Sequence, residues 1–353
     1  MSVSGLPVFL PWQQSIAQTW LGERERFSHA WLIHGMAGIG KRDFAKAAAA
    51  SLLCESPQAG MACGTCAACH WVAKGSHPDL RLIRPDAVAQ QEGESAGDDT
   101  QDSGTGARKT VSKDIRIEQL RALHDWFNTA THRGGWRVAV LYPAEALNMI
   151  SANALLKVLE EPPEHTLFLI VADAPDRLLP TLVSRCRRLP LPVPERDLAL
   201  EWLHAQQVEQ AEAWLDARGG APMHALAFSR ESSDVCPAWL RQWAMAVNAE
   251  AEPDFMQLAQ LLEAQPPQVW LDTLQRFAVD LQLATVGLPA RYFPMLADLT
   301  RALAGRSDAR LAADAAKWLN GQNRLAGHPL NARLFAYKVL YKLGQACRGV
   351  AAA

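Results

Sequence analysis

The sequence is short of several features, and each shortage excludes a class of protein. Acidic and basic residues nearly balance, at 37 and 35, with a formal net charge of −2, which argues against a protein that holds nucleic acid through a general excess of positive charge. No apolar run reaches the ~20 residues of a membrane-spanning helix. The first residues lack the basic start and long apolar stretch of a secretory signal.

Cysteine is also scarce. The chain has 7 cysteines, an odd number, and four of them fall within residues 54–69. This distribution does not match the paired framework of a disulfide-stabilised secreted protein. We therefore expect the protein to work in a reducing cytoplasm.

The pattern that is present is that of an α/β protein. At 353 residues the chain has room for two or three domains. Apolar runs at residues 30–34, 136–142 and 166–172 predict buried strands, and residues 42–53 and 151–161 predict helices. This alternation over the first ~190 residues predicts a parallel sheet with flanking helices.

The remaining sequence predicts further domains. Residues 189–194, Leu-Pro-Leu-Pro-Val-Pro, are expected to form a linker, because prolines favour an extended path. After the first domain, 1–190, we expect a small helical domain at 191–236 and an all-helical domain at 237–353. Residues 86–110 carry six acids, two bases and almost nothing to bury, which predicts a disordered insertion.

A glycine-rich loop follows the first strand. Residues 35–41, Gly-Met-Ala-Gly-Ile-Gly-Lys, match the G-x-x-x-x-G-K pattern of a phosphate-binding loop. In such loops the backbone N–H groups and the lysine hold phosphate oxygens. The next position requires Ser or Thr as a Mg²⁺ ligand, but the residue is Arg42. The candidate phosphate-binding residues are Gly35, Gly38, Gly40 and Lys41.

A second part of the ATPase machinery is missing. The strand that ends at Leu141 should deliver an acidic pair that binds Mg²⁺ and activates water. Tyr142 and Pro143 stand there instead, and the first acid is Glu145. We therefore expect that the site neither binds nor hydrolyses ATP. On this interpretation the loop is only a structural turn. Binding of a nucleotide without hydrolysis is the alternative.

Four cysteines with the spacing C-x8-C-x2-C-x2-C fall in one short segment. They are Cys54, Cys63, Cys66 and Cys69. Four thiolates so close together suit a tetrahedral Zn²⁺ ion in a closed, structural site. Free cysteines without a metal are one alternative, and an iron–sulfur cluster is disfavoured because the C-x3-C-P continuation of the ferredoxin pattern is absent. His70 or His77 could replace Cys54 as the fourth ligand.

An arginine occupies the middle of a Ser-Arg-Cys motif at residues 184–186, downstream of residues 153–163, Asn-Ala-Leu-Leu-Lys-Val-Leu-Glu-Glu-Pro-Pro. It lies at the edge of a nucleotide-binding type of domain whose own site is defective. In a ring of such domains, this arginine can reach the phosphates of the next subunit and stabilise the charge that develops during hydrolysis. The alternative is that Arg185 pairs with a local carboxylate.

Together these motifs resemble the delta-prime subunits of bacterial DNA polymerase III clamp loaders, a family of AAA+ proteins. The resemblance rests on residues 153–163, on the motif at 184–186 and on the four-cysteine segment. Residues 28–34 and the His-Pro-Asp at 77–79 are further markers. The helical C-terminal third agrees with this family only in kind.

The resemblance implies an AAA+ module with a helical lid domain at 191–236 and a helical collar at 237–353 that holds a hetero-pentamer together. It implies a subunit without hydrolysis of its own, which helps to load the sliding clamp onto primed DNA as part of the DNA polymerase III holoenzyme. Its partners would be gamma or tau subunits, the delta subunit, the clamp and primer–template DNA, at the replisome in the bacterial cytoplasm. Arg185 would act in trans as an arginine finger on a gamma or tau subunit, and zinc would stiffen the cysteine segment.

The gamma and tau subunits share the cysteines and the Ser-Arg-Cys motif, so an active clamp-loader ATPase of that type is the main alternative. They carry Ser or Thr where this chain has Arg42, an Asp-Glu pair where it has Tyr142 and Pro143, and a sensor arginine where it has Met223. These differences favour delta-prime. The complete glycine-rich loop with Lys41 is the one feature that instead resembles the ATP-binding gamma and tau subunits. A zinc-bearing nucleic-acid binding module is a further alternative, which the near-neutral charge disfavours.

Overall fold

The computed structural model describes residues 4–93, 111–127, 129, 131–132, 135–232, 234–249, 254–326 and 331–350, except for the side chain of residue 124. Within these residues the chain forms two compact units, with the boundary between Leu198 and Ala199. The first unit has the predicted α/β architecture, and the second is built from helices. None of the helices in the described ranges combines the length and apolar character that a membrane span requires.

Five parallel strands form the sheet of the first unit, in the order β2-β3-β4-β1-β5. Their bounds are β1 Ala30–His34, β2 Leu80–Ile83, β3 Arg137–Leu141, β4 Thr166–Ala172 and β5 Arg187–Pro190. Both β3 and β4 are buried along their whole length and have a strand on either side. Such strands appear in sequence as continuous apolar runs, which is why they were recognisable.

Helices pack on both faces of this sheet and enclose two hydrophobic cores. Along β1 the side chains alternate, so that Trp31 and Ile33 join one core and Leu32 the other. Phe44 enters the first core and Leu155 the second. The helices are α1 Gln14–Gly22, α2 Lys41–Leu53, α3 Ala67–Ala73, α4 Asp86–Gln91, α5 Ile117–Phe127, α6 Met149–Glu160, α7 Pro180–Ser184 and α8 Arg196–Ala205, the last of which crosses the unit boundary.

The fifth strand differs from the sequence prediction. Residues 189 and 190, assigned above to a proline-rich linker, belong to β5, which pairs with β1 from Trp31–Arg187 to His34–Pro190. β5 is at the edge of the sheet. An edge strand tolerates proline because one of its sides has no partner strand.

The segment predicted as a disordered insertion, residues 86–110, begins with the helix α4 instead. Asp86 forms an ion pair with Arg116 at 2.9 Å, and Glu92, just beyond the helix, contacts several basic side chains described below. These charge contacts order a stretch whose composition alone predicted disorder. Residues 94–110 of the predicted insertion lie outside the described residues.

The second unit is all-helical within its described residues. Its helices are α9 Ala211–Ala217, α10 Pro222–Glu231, α11 Ala238–Asn248, α12 Met256–Glu263, α13 Pro267–Thr285, α14 Ala297–Ala304, α15 Ala309–Gln322 and α16 Ala332–Cys347. Their core contains four fully buried aromatic side chains, Trp243, Phe255, Trp270 and Phe277. The helices from Ala199 onward share one hydrophobic core, so the division into 191–236 and 237–353 stays a prediction.

Candidate functional site

The glycine-rich loop connects β1 to α2, where the sequence predicted it. Gly38 and Gly40 have positive φ angles of 78° and 84°, which side chains other than glycine rarely adopt. A Cβ atom on Gly40 would also lie 2.3 Å from Leu10 Cδ1 and 2.9 Å from Gln13 Nε2. Position 40 therefore requires glycine for both its backbone conformation and its lack of space.

The segment before α1 closes over this loop. Trp12 Nε1 donates to the Ile39 carbonyl at 3.0 Å. Gln13 Nε2 donates to the carbonyls of Ile39 at 3.2 Å and of Gly40 at 2.7 Å. The Gln13 side chain is buried, so these hydrogen bonds fasten the loop to the N-terminal segment from the inside.

Lys41 is folded back onto its own loop. Its Nζ donates to the carbonyls of Gly35 at 2.9 Å and of Met36 at 2.6 Å, and it lies 2.5 Å from Asp173 Oδ1. An ammonium group has three N–H donors, and the Lys41 side chain is only 3% exposed. A phosphate can therefore reach Lys41 only by displacing contacts that the protein already makes.

The two side chains that depart from the ATPase pattern, Arg42 and Tyr142, meet at one carboxylate. Arg42 Nη1 lies 3.1 Å from Glu92 Oε1, and Tyr142 OH donates to Glu92 Oε2 at 2.7 Å. Lys46 Nζ and Arg84 Nε lie 3.0 and 3.2 Å from the same Oε2. We call Arg42, Lys46, Arg84, Glu92 and Tyr142 the Glu92 cluster.

The cluster fixes the protonation states of Glu92 and Tyr142. Burial alone would raise the pKa of Glu92, but the hydrogen bond from Tyr142 and the charges of Lys46 and Arg84 outweigh it and lower that pKa. Burial raises the pKa of the Tyr142 phenol well above its usual value, and the neighbouring carboxylate adds to this rise. Glu92 is thus kept ionised and Tyr142 is kept as a hydrogen-bond donor.

Glu145, the first acid after β3, is also committed elsewhere. Its Oε1 accepts hydrogen bonds from the backbone N–H groups of Asp173 at 2.6 Å and Ala174 at 2.7 Å. The carboxylate thereby fixes the backbone directly after β4. This engagement gives Glu145 a structural role in place of an acid that would bind Mg²⁺.

The four predicted zinc ligands converge at the end of α2 and the start of α3. All four sulfur atoms lie within 4.8 Å of one another. The Sγ atoms of Cys54 and Cys66 are 3.8 Å apart, which is about the separation of two thiolates on a tetrahedral ion with Zn–S bonds of ~2.3 Å. Among the described residues this metal-sized group contains the four cysteines and neither His70 nor His77.

Backbone N–H groups turn toward these sulfur atoms, as expected for thiolates. Cys63 N donates to Cys54 Sγ at 3.2 Å, and Cys69 N donates to Cys66 Sγ at 3.4 Å. Hydrogen bonds from Thr65 lower the pKa of Cys63 to about 6, whereas burial raises the pKa of Cys54 and Cys69. The donor set fits a tetrahedral metal ion that has no open coordination position.

Arg185, the candidate arginine finger, forms local contacts in this chain. Its guanidinium group donates through Nη2 to Glu160 Oε1 and through Nη1 to the Thr181 carbonyl, the latter at 2.8 Å. The side chain is 34% exposed and that of Glu160 is 49% exposed. The isolated chain thus shows the local carboxylate pairing that was the alternative to a finger, in a place that remains accessible to solvent.

The strand register separates Arg185 from the chain's own glycine-rich loop. Arg185 precedes β5, whereas the loop follows β1, and Trp31 pairs with Arg187 while His34 pairs with Pro190. Because these strands are parallel, the two features lie at opposite ends of the sheet, separated by a strand of ~13 Å. Arg185 therefore does not belong to the phosphate loop of its own chain.

Sequence reasoning missed Lys46 and Arg84 of the Glu92 cluster, and it missed three further residues that shape this site, namely Gln13, Glu92 and Asp173. Gln13 precedes the first helix and Glu92 lies in a stretch that composition assigned to disorder, so no motif marks either of them. Asp173 directly follows a buried strand. That position, where the carboxyl ends of parallel strands place functional groups, was the one available signal.

Comparison with known proteins relates the chain to one family. The family model described as DNA polymerase III, delta subunit, matches residues 14–195. The chain is 40% identical to DNA polymerase III subunit delta' of Pseudomonas aeruginosa over 61% of this chain and 60% of that protein. It is 31% identical to DNA polymerase III subunit delta' of Escherichia coli over 75% of each chain.

More distant similarities are also found. The chain is 33% identical to DNA polymerase III subunit tau of Escherichia coli, over 46% of this chain and 21% of that protein. The chain can also be superposed on the solved structure of a gamma subunit-related protein from Thermotoga maritima. The superposition includes 94% of this chain and 99% of that protein, at 16% sequence identity and a TM-score of 0.41.

The matches to delta' span 60%, 50% and 60% of the length of the proteins from Pseudomonas aeruginosa, Yersinia pestis and Haemophilus influenzae. The family model nevertheless covers the whole sheet of the first unit, from before β1 to beyond β5. It also contains the glycine-rich loop, the four cysteines and Arg185. The chain belongs to the family of delta-prime subunits of DNA polymerase III.

Proposed function

We propose that this protein is a non-hydrolysing subunit of a clamp loader, which helps to place a sliding clamp on primed DNA during replication in the bacterial cytoplasm. The observation that carries the proposal is the engagement of every residue at the ATPase positions by another group of the chain. Lys41 is held by Asp173, and Arg42 and Tyr142 are both held by Glu92. At the two positions where a P-loop ATPase carries its Mg²⁺ ligand and its acid, Arg42 and Tyr142 supply neither.

Arg185 would act on the ATP site of a neighbouring gamma or tau subunit. Its position at the end of the sheet opposite the chain's own loop supports a role in trans, and its partial exposure leaves the guanidinium group accessible. Glu160 would hold the side chain extended until the neighbour's phosphate replaces that carboxylate. Arginine is suited to this exchange because its planar fork binds carboxylate and phosphate in the same manner.

The four-cysteine segment would hold one structural Zn²⁺ ion through Cys54, Cys63, Cys66 and Cys69. A bound zinc ion would supply a cross-link between the end of α2 and the start of α3. Because four thiolates fill a tetrahedral coordination shell, the ion would have no catalytic position. The delta subunit, gamma or tau subunits, the clamp and primer–template DNA are the partners that this assignment proposes.

The test is DNA-stimulated ATP turnover by an assembly reconstituted from this chain with cognate gamma, delta and clamp. With Arg185→Ala we expect the assembly to form and turnover to fall, because loss of an arginine finger slows its site by ~10³-fold or more. Arg121→Ala, which removes an exposed arginine from α5, is the matched control. Unchanged turnover with Arg185→Ala would exclude the finger, and failure of the wild-type chain to join the assembly would exclude the clamp-loader role.

A further inference from the structure

The Glu92 cluster gathers positive charge at the carboxyl ends of two neighbouring strands. Ile83 of β2 pairs with Leu141 of β3, so the next residues, Arg84 and Tyr142, stand side by side beyond the sheet. The helix α2 supplies Arg42 and Lys46 from the facing side. The carboxyl ends of parallel strands are where α/β proteins bind ligands.

The single carboxylate of Glu92 is surrounded by more hydrogen-bond donors and more positive charge than it can balance. Its Oε2 alone has the Lys46 ammonium, the Arg84 guanidinium and the Tyr142 hydroxyl within 3.2 Å, while Oε1 meets Arg42. Three cations thus share one carboxylate with a single negative charge. A phosphoryl group carries ≈ −1.5 to −2 charges at neutral pH and three acceptor oxygens, so it would distribute the same donors better.

The surroundings are compatible with an external anion. Asp43, beside Arg42 on α2, is a second acid that interacts with Arg42 and Lys46, and even with Asp43 ionised the three cations Arg42, Lys46 and Arg84 outnumber the two carboxylates. The Arg42 side chain is 45% exposed and that of Lys46 is 22% exposed. An anion can therefore approach from the α2 side. Glu92 itself lies just beyond α4, on a short segment rather than within the sheet.

We propose that Arg42, Lys46, Arg84 and Tyr142 form a binding site for a phosphoryl group, and that Glu92 occupies this site as an intramolecular competitor. The site lies on α2 and at the ends of β2 and β3, apart from the backbone of the glycine-rich loop. The ligand chemistry is that of a phosphoryl oxyanion, which a small polyphosphate supplies with several charges and a nucleic-acid backbone supplies with one charge per phosphodiester. The proposal does not depend on clamp loading.

The primary test is calorimetric titration of inorganic tripolyphosphate into the full-length chain. Glu92→Gln removes the competing charge but keeps an acceptor for Tyr142, so we expect binding about tenfold tighter than in the wild type. Asp86→Asn removes the same charge from the same segment, where the partner is Arg116, and should bind like the wild type. Equal affinities of Glu92→Gln and the wild type would overturn the proposal.

Two double variants show which residues are responsible for the tighter binding of tripolyphosphate. When Arg42→Gln is added to Glu92→Gln, the increase in affinity should disappear. When Lys41→Ala is added instead, the increase should remain, because Lys41 belongs to the glycine-rich loop and not to the proposed site. The opposite pattern would assign the binding to that loop and overturn the proposal. If Glu92→Gln does not fold, the wild type at high tripolyphosphate replaces it, and Arg42→Gln must then weaken binding.

A second titration distinguishes the source of the phosphate. A single-stranded oligodeoxynucleotide replaces tripolyphosphate, with the same variants. Binding that requires Arg42 and tightens with Glu92→Gln identifies a nucleic-acid backbone as a ligand of the site. The same dependence for tripolyphosphate alone identifies a small polyphosphate. Independence of both probes from Arg42 and Glu92 contradicts the site.

Discussion

Arg42 and Tyr142 contact the same carboxylate. Arg42 Nη1 lies 3.1 Å from one oxygen of Glu92, and the Tyr142 hydroxyl donates to the other at 2.7 Å. In a P-loop ATPase these positions carry Mg²⁺ ligands. The two departures from the ATPase pattern are therefore parts of one arrangement, and reversal of either one leaves the other in place.

The first prediction is that restoring one ligand does not create an ATPase. Arg42→Ser reintroduces a hydroxyl for Mg²⁺, but Tyr142 still stands in place of the acid and Asp173 still holds Lys41 at 2.5 Å. We expect the purified wild type and Arg42→Ser to release no phosphate from ATP above the background. Lys41→Ala measures contaminating activity, and Mg²⁺-dependent turnover that disappears with Lys41→Ala would contradict the prediction.

The sheet of the first unit was largely predictable, and the reason is burial. Strands β3 and β4 are buried over their whole length and apolar after their first residue, because each lies between two other strands. Both edge strands were missed, β2 because it is only four residues long and partly exposed, and β5 because Arg187 and Arg188 are exposed and Pro190 ends it. An edge strand does not carry the apolar pattern from which a strand is predicted.

The candidate site was predictable where a ligand pattern is local in sequence. The cysteines converge as their spacing predicted, because Cys54 ends α2 and Cys66 begins α3. The partners of Lys41 and Arg42 were not predictable, because Asp173 and Glu92 come from distant segments and only the fold brings them near. Composition assigned Glu92 to disorder, since a count of charges does not show that opposite charges are paired in space.

The second prediction concerns metal removal. We expect about one zinc ion per chain, bound by four thiolates, and Cys63→Ser should lose most of it. The unfolding temperature should fall by several degrees, because the metal binds a site that only the folded chain contains. Elemental analysis and thermal unfolding measure both effects, with Cys236→Ala, an isolated buried cysteine, as the control for loss of a thiol. A folded wild type that takes up no zinc would contradict the assignment.

The third prediction separates backbone strain from crowding at the glycine-rich loop. Gly40 and Gly75 both have positive φ, at 84° and 69°, so alanine at either position costs about 1–2 kcal/mol in backbone conformation. At Gly40 the added methyl group also meets Leu10 and Gln13, whereas at Gly75 nothing lies within 4 Å. Gly40→Ala should therefore lower the free energy of unfolding by ~1–3 kcal/mol more than Gly75→Ala. Urea unfolding measures the difference. Equal losses for the two variants would mean that Leu10 and Gln13 move aside for the added methyl group without a measurable cost in stability.

The fourth prediction is a dependence of stability on pH that arises from Glu92. Its contacts with Tyr142, Lys46 and Arg84 lower its pKa in the folded protein below the value of 4.5 expected for the unfolded chain. For a carboxyl group with a lowered pKa, the stabilisation is present above the unfolded value and is lost as the pH falls through the folded value.

We therefore expect the wild type to exceed Glu92→Gln in free energy of unfolding by about 1.5–3 kcal/mol at neutral pH, the range for hydrogen bonds to charged groups. The gap should narrow as the pH falls below 4.5, because the wild-type carboxylate then takes up a proton and resembles the neutral glutamine. Urea unfolding in phosphate-free buffer, from neutral pH to below pH 4.5, measures this difference in free energy of unfolding. Asp86→Asn, which makes the same change in charge, is the control. A gap that widened on acidification would mean that the cluster stabilises the protonated acid, and Glu92 would then not be the counter-ion of Arg42, Lys46 and Arg84.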